Sequence, residues 1–317
     1  MSNIFIAAMA LLVAPISVHA STLAPCYTTP FGLEATPEAL SACKVFKQVT
    51  LEEILTEDVE YTKEGPVFPI KHSQSGKSIV TENQMGFDVV TPGHKSWLTQ
   101  DLSDFLKNRE DPLVIDVGAA YGGLVRRSLK AGATVVYNDI HVPHIEQGIR
   151  LLPPGGEKQL VLNSDRFPDE TDFPKESFDA VILHRMVVFL SPEELETGLS
   201  KVYDWLKPGG QIFMVGFAPQ HGRIKKTFLP IYEQKWKDGE LWPGHKLDVK
   251  KHMPDQAYAL PDFIHVMDGR PMEAALTRHG FKVIKSAPVS LQHLSNSQEV
   301  FVRDGGEHFG VVGEKAQ

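Results

Sequence analysis

Cysteine is nearly absent: the 317-residue chain holds two, Cys26 and Cys43. So few rule out a disulfide-dense scaffold. A zinc site would need further partners, and no His-x₃₋₅-His pair stands beside them. Positive charge is also scarce. The formal net charge is −8, which excludes a whole-protein role on nucleic acid, where a basic face must neutralise phosphates. Beyond the first twenty residues no apolar run is long enough to span a bilayer, so stable membrane insertion is excluded. Internal repeats and low-complexity tracts are missing too. What remains is the composition of an ordinary globular protein, 42% hydrophobic and 23% charged, long enough for one large α/β domain with appended segments.

The first twenty residues stand apart. Ile4 to Val18 is almost wholly apolar, and Val18-His19-Ala20 precedes Ser21 in a small-residue cleavage pattern. Residues 1–20 therefore read as a secretory signal peptide, although the segment before the apolar run carries no Lys or Arg. Cleavage implies a periplasmic or secreted protein, in which Cys26 and Cys43 would pair; without it the chain is cytoplasmic and they are two thiols. The charge is uneven as well. Between Gly222 and His252 stand eight Lys or Arg against four acids, either a solvated face or an anion-attracting segment near a substrate.

Residues 21–94 read as an irregular lead-in, with brief helical periodicity around Pro37–Phe46 and Leu51–Leu55. A regular alternation starts at Lys95. An amphipathic helix is predicted over Lys95–Asn108, then strands at Leu113–Val117, Thr134–Tyr137, Gln159–Leu162, Phe178–Leu183 and Gln211–Phe217. Helices are predicted between them at Gly123–Ala131 and Val142–Leu152. A third follows Ser191-Pro192-Glu193-Glu194, a capping box with proline in the first turn. After Phe217 the pattern lapses for residues 218–268. It resumes with a helix at Pro271–His279 and strands at Phe281–Lys285 and Glu299–Arg303. Strands alternating with helices imply crossover units and a mainly parallel, doubly wound sheet.

The chemistry gathers at three successive strand ends. Asp116-Val117-Gly118-Ala119-Ala120-Tyr121-Gly122-Gly123 leaves the first strand and opens a helix. Its small residues let the backbone approach a ligand, and the helix start offers free N–H groups. Gly118-x-Ala120-x-x-Gly123 is a passable dinucleotide turn, and alone it also fits a nicotinamide or flavin cofactor. Asp116 separates the two classes: a carboxylate aimed into the cleft repels a pyrophosphate and pairs with an ammonium group. Asp139, with Ile140 beside it, suits a ribose diol in either class. Asp165, followed by Arg166 and Phe167, offers an acceptor for an adenine amino group and a ring to pack on it. Each acid has a plainer reading as a helix cap, a turn residue or a solvated acid. Together they line the sheet edge at which open α/β folds bind ligands.

The order Val114-Ile115-Asp116-Val117-Gly118, Asn138-Asp139, Asp165, Ser177-Phe178-Asp179-Ala180-Val181 and Leu206-Lys207-Pro208-Gly209-Gly210 resembles the class I S-adenosylmethionine (SAM) dependent methyltransferases over roughly residues 95–305. The resemblance implies a Rossmann-like sheet of seven strands with the last antiparallel, here with an insertion after the fifth, and SAM as cofactor. It implies that Asp116, Gly118, Ala119, Ala120, Tyr121 and Gly122 hold the methionine part. Asp139 and Ile140 would hold the ribose, and Asp165, Arg166 and Phe167 the adenine edge. Ala120 departs from the family, which often has glycine there.

For the reacting end, His184 closes the fourth strand on the ligand edge and also borders the cofactor, while His94 precedes the helix that would fold over the cleft. Both are candidate bases, set against the commoner role of histidine in packing. His141 and His144 share a spacing of three without further ligands, so no metal is expected. Residues 218–268, with Phe228, Tyr232, Trp236, Trp242 and Tyr258 among the lysines, read either as a substrate lid for a planar or anionic small molecule or as a segment packed on its own domain. The function expected is methyl transfer from SAM to a small-molecule acceptor. The alternatives are an exported SAM-binding or effector protein without catalysis and an NAD(P)-dependent oxidoreductase.

Overall fold

The computed structural model describes residues 33–34, 71–72, 79–83, 85–88, 95–152, 159–290 and 305–316. The expected signal segment 1–20, Cys26, Cys43, His94, the short helices of the lead-in and the strand expected at Glu299–Arg303 lie outside them. In chain order the strands are β1 (Leu33–Glu34), β2 (Lys71–His72), β3 (Ile79–Val80), β4 (Phe87–Asp88), β5 (Leu113–Val117), β6 (Thr134–Asn138), β7 (Leu160–Asn163), β8 (Phe178–His184), β9 (Leu206–Phe217), β10 (Leu247–Asp248), β11 (Phe263–Ile264), β12 (Phe281–Val289) and β13 (His308–Lys315). The helices are α1 (Trp97–Lys107), α2 (Gly123–Lys130), α3 (Val142–Arg150), α4 (Pro192–Trp205), α5 (Leu229–Lys237), α6 (Val249–His252) and α7 (Gly269–Arg278). No described helix is long and apolar enough to cross a membrane.

The main sheet runs β1-β7-β6-β5-β8-β9-β13-β12. Strands β7, β6, β5, β8 and β9 are parallel, and β13 lies antiparallel between β9 and β12. That is the expected seven-stranded sheet with an antiparallel last strand, plus one edge strand, β1, supplied by the lead-in. The last strand is His308–Lys315, further along the chain than the predicted position. Strand β9 begins at Leu206 rather than Gln211, because the Lys-Pro-Gly-Gly turn is absorbed as an irregularity where Phe178 and Ala180 face Leu206 and Gln211.

Alternation along the strands builds two cores. Val114, Val135, Leu162, Ile182 and Val215 face α1, α2 and α3. Ile115, Val117, Val136, Val181 and Met214 face α4 and α7. The cap predicted at Ser191 forms: its hydroxyl accepts from Glu194 N at 3.2 Å, and the Glu194 carboxylate accepts from Ser191 N at 2.8 Å. Residues 218–268 are more ordered than their sequence pattern suggested. They carry α5, α6 and the β10–β11 hairpin around a third apolar cluster, with Ile224, Phe228, Tyr232, Leu247, Val249 and Ile264 packed under Phe217 and Val188.

Candidate functional site

A cavity of about 400 Å³ opens at the carboxyl ends of β5, β6 and β8. Its floor is the turn after β5. Gly118, Ala120 and Gly122 all adopt left-handed backbone, with φ of +64°, +46° and +71°. Gly118 has no alternative: a Cβ there would lie 2.8 Å from Met186 Cβ. Ala120 pays for its methyl with a conformation that costs a non-glycine residue about 1–2 kcal/mol. It is held there by its N–H, which donates to Asp139 Oδ2 at 2.8 Å, and by its carbonyl, which accepts from the Tyr137 hydroxyl. Ala120→Gly is expected to leave stability unchanged or raise it by up to about 1 kcal/mol, where an ordinary alanine-to-glycine change lowers it. Thermal unfolding checks this; a clear loss of stability contradicts the left-handed turn.

Asp139 organises the second strand end. Its Oδ1 accepts from His141 N at 2.8 Å and meets His144 Nδ1 at 3.2 Å, while Oδ2 serves the Ala120 turn. His144 is buried against this carboxylate and lines the cavity, and its Nε2 has no hydrogen-bond partner among the described residues. The His141–His144 pair thus serves Asp139 and the α3 start. Among the described residues no cluster of three or more His, Cys, Asp or Glu could hold a metal.

Asp116 is 3% exposed. Burial raises its carboxyl pKa well above the usual carboxylate range, the nearby charges of Asp139 and Asp88 add to the rise, and a backbone hydrogen bond from Val125 in the first turn of α2 opposes it. A buried acid in this position accepts a proton or a cation readily. Asp88, on β4, reaches the same cavity with Thr81, Asn83, Met85 and Phe87 of the lead-in. Nothing in the sequence marked these residues, because a two-strand fragment reaches the site only through tertiary packing. The lead-in is anchored by Glu82, whose N–H donates to Tyr121 Oη at 3.1 Å and whose carboxylate accepts from Gln147 Nε2 at 2.8 Å.

The structure brings Asp116, Gly118, Ala119, Ala120, Asp139, Ile140, Arg166, Phe167 and His184 to the cavity wall. Three residues expected there do not line it. Tyr121 is buried behind the turn and receives the Glu82 N–H. Gly122 precedes α2 as its cap residue, on the far side of the turn. Asp165 accepts from Asn163 Nδ2 at 2.8 Å, and its carbonyl accepts from Asn138 Nδ2 at 2.9 Å, so it braces the strand ends. The Phe167 ring is committed elsewhere: it meets Trp205 edge-on at 6.1 Å and fills the space over Gly198 of α4. Arg166 sits on the rim beside Glu194, 3.2 Å away.

His184 lines the cavity, but burial, followed by the charge of Arg185, pushes its pKa down to about 3. Such an imidazole stays neutral and is a weak proton acceptor. Its neighbour Arg185, which the sequence reading passed over, holds a left-handed φ of +67° directly after β8. Burial lowers its pKa to about 10, and Asp88 holds it up.

The insertion closes the other end with Met253, Gln256, Leu260 and Ile264. The aromatic and basic wall expected of it is not what lines the cavity. Tyr232 donates to Asp268 Oδ1 at 3.0 Å, Trp242 to Glu196 Oε1 at 2.9 Å, and Trp236 lies under Arg270 at 5.1 Å. Phe228 is in the insertion's own core, and Tyr258 meets Phe87 edge-on at 6.2 Å. Lys235 and Lys250 are paired with Glu240 and Asp262 at the surface. Phe228 and Tyr232 belong to the insertion's own apolar cluster, while Trp242 packs on the main-sheet core and Tyr258 on the lead-in.

Residues 114–210 match the family model described as a methyltransferase domain. The chain is 23% identical over 179 residues to the ubiquinone/menaquinone biosynthesis C-methyltransferase of Methylococcus capsulatus, covering 56% of this chain and 69% of that one. It is 26% identical over 136 residues to the carboxy-S-adenosyl-L-methionine synthase of Desulfotalea psychrophila, covering 41% of this chain and 54% of that one. A solved SAM-dependent methyltransferase of Methanosarcina mazei aligns at 17% identity with a TM-score of 0.49, over 66% of this chain and 94% of that one. Over residues 114–210 the chain is therefore similar to a methyltransferase domain.

Proposed function

We propose that the domain methylates a small molecule with an apolar body, using SAM held between Asp116, the Gly118–Ala120 turn and Asp139. The observation that carries this reading is the charge of the cavity. Asp88, Asp116, Asp139 and Glu194 line it against two arginines, Arg166 and Arg185. That balance welcomes a cation and disfavours a pyrophosphate. The buried Asp116 carboxyl suits an ammonium group, and the left-handed turn lets a ligand lie against backbone. Asp139, fixed by three donors, keeps lone pairs for a diol. When bound, SAM supplies a methyl group on a sulfonium, which leaves to a nucleophile while its bonding pair stays on sulfur.

The chain's own residues do the positioning. Val188, Phe189, Phe217, Met253, Leu260 and Ile264 form an apolar end that excludes water and holds an acceptor near the turn. Residues 218–268 act there as the cover, through aliphatic side chains. Isothermal titration checks the reading: SAM and S-adenosylhomocysteine (SAH) are expected to bind stoichiometrically and NADH not to bind. Heat from NADH alone would restore the oxidoreductase alternative.

A further inference from the structure

Thr81, Asn83, Met85, Gly86 and Phe87 form one wall of the cavity, yet they belong to no strand of the main sheet. They lie in and beside the turn between β3 and β4, in a separate three-stranded sheet whose strands are two residues long. Strands that short give little stability of their own, so this wall stands by what it is tied to. On one side it meets the insertion. A Cβ at Gly86 would lie 3.8 Å from Leu260, and Phe87 meets Tyr258 edge-on at 6.2 Å. On the other side stands Glu82. Its N–H donates to Tyr121 Oη at 3.1 Å, and its carboxylate accepts from Gln147 Nε2 at 2.8 Å. Tyr121 directly follows Ala120 in the left-handed turn. Gln147 is on α3, whose start is tied to Asp139 through His141 and His144. Glu82 thus grips both elements to which the SAM reading assigns the cofactor.

We propose that Glu82 is a positioning residue: through Tyr121 and Gln147 it couples the docking of the β3–β4 wall to the filling of the cofactor cavity, so that each stabilises the other. This rests on the SAM reading above and names a regulation of that same site. Such coupling is reciprocal, because a ligand that favours the docked wall is itself bound more tightly when the wall is docked. The hold on the wall is weak enough to be shifted. Glu82 is exposed, and three buried polar atoms beside its partners, His141 Nε2, His144 Nε2 and Gln147 Oε1, have no hydrogen-bond partner among the described residues. Tyr121 meets His144 edge-on at 5.1 Å, and His144 meets His141 at 4.5 Å, so these rings form one layer under Glu82. Buried polar groups left unpaired offset much of what the two Glu82 bonds contribute. A wall held in this way undocks by local opening, without unfolding of the main sheet. A ligand that touches both the wall and the turn shifts the balance toward docking, since it meets both only in that state.

Amide hydrogen exchange on the full-length protein tests this, with SAH as the probe and calorimetry for its affinity. SAH is expected to slow exchange across residues 79–88 at least about tenfold. Glu82→Ala is expected to remove most of that slowing and to weaken SAH about threefold to tenfold. Gln147→Ala should do the same, and the double variant should lose no more than either single one, because both remove one contact. Glu82→Gln keeps a side-chain oxygen for Gln147 Nε2 and is expected to restore both affinity and protection, a rescue that general damage to the fold would not show. The proposal is overturned if SAH binds wild type without slowing exchange there. It is also overturned if Glu82→Ala binds SAH and is protected as wild type is, or if Glu82→Gln is as impaired as Glu82→Ala. Wild type that binds no SAH sinks the methyl-transfer reading and this inference with it, whereas binding without protection sinks the inference alone.

Discussion

Asp139→Ala is expected to lower stability by about 2–4 kcal/mol and to abolish measurable SAH binding, because three donors lose one carboxylate at once. The N–H groups of Ala120 and His141 and the ring of His144 all converge on Asp139. Without it the Ala120 N–H is left beside the cavity in a left-handed turn that had been held partly by this bond. The turn is expected to relax toward a right-handed conformation and to close the space that Gly118 keeps open against Met186. Thermal unfolding and calorimetry on the same preparation check both halves. A variant as stable as wild type, or one that still binds SAH tightly, contradicts the role given to Asp139.

Asp116→Asn is expected to act in opposite directions on stability and on binding. The folded pKa of Asp116 lies above its unfolded value. The native state therefore binds the extra proton, and stability falls as pH rises from the ordinary carboxylate range through the folded pKa. Asparagine never ionises, so the ligand-free variant should be the more stable above that window and should lose this component of the pH dependence. Binding moves the other way. An ammonium group favours the ionised carboxylate, and a hydrogen bond to a charged partner contributes about 1.5–3 kcal/mol, so SAH affinity should drop roughly 10- to 100-fold. Wild-type affinity should rise with pH as Asp116 ionises, and the variant's should not. Equal affinities across that range would show that Asp116 only caps α2 through Val125.

Local chemistry made much of the fold legible. The Ser191–Glu194 box, the amphipathic helix expected from Lys95 and the five parallel strands each follow from a few neighbouring residues, and so does the glycine-rich turn. Asp116 and Asp139 were legible as residues of the cavity wall for the same reason: each ends a buried strand, and strand ends in this topology face one cleft. Asp165 looked equivalent, but Asn163 two residues before it and Asn138 on the neighbouring strand claim it as a brace. Phe167 reaches the cavity wall, but Gly198, thirty-one residues later, leaves the hole its ring fills.

The rest of the site depends on distant packing. Asp88 comes from β4, a two-residue strand paired with β3, and Met253, Leu260 and Ile264 from an insertion whose periodicity is too short to read. Of the aromatic residues within 218–268, Phe228 and Tyr232 turn inward, because a segment of that length with its own helices must build a core before it can cover anything. Arg185 was hidden for another reason: nothing in residue type alone signals a left-handed backbone at an arginine.

The most direct measurement is a crystal structure of the protein with SAH. The account predicts the ligand in the 400 Å³ cavity, its amino group on Asp116 and its ribose hydroxyls on Asp139, with the thioether sulfur facing the apolar end. Density for SAH in another location, or in this cavity with neither carboxylate in contact, would contradict it.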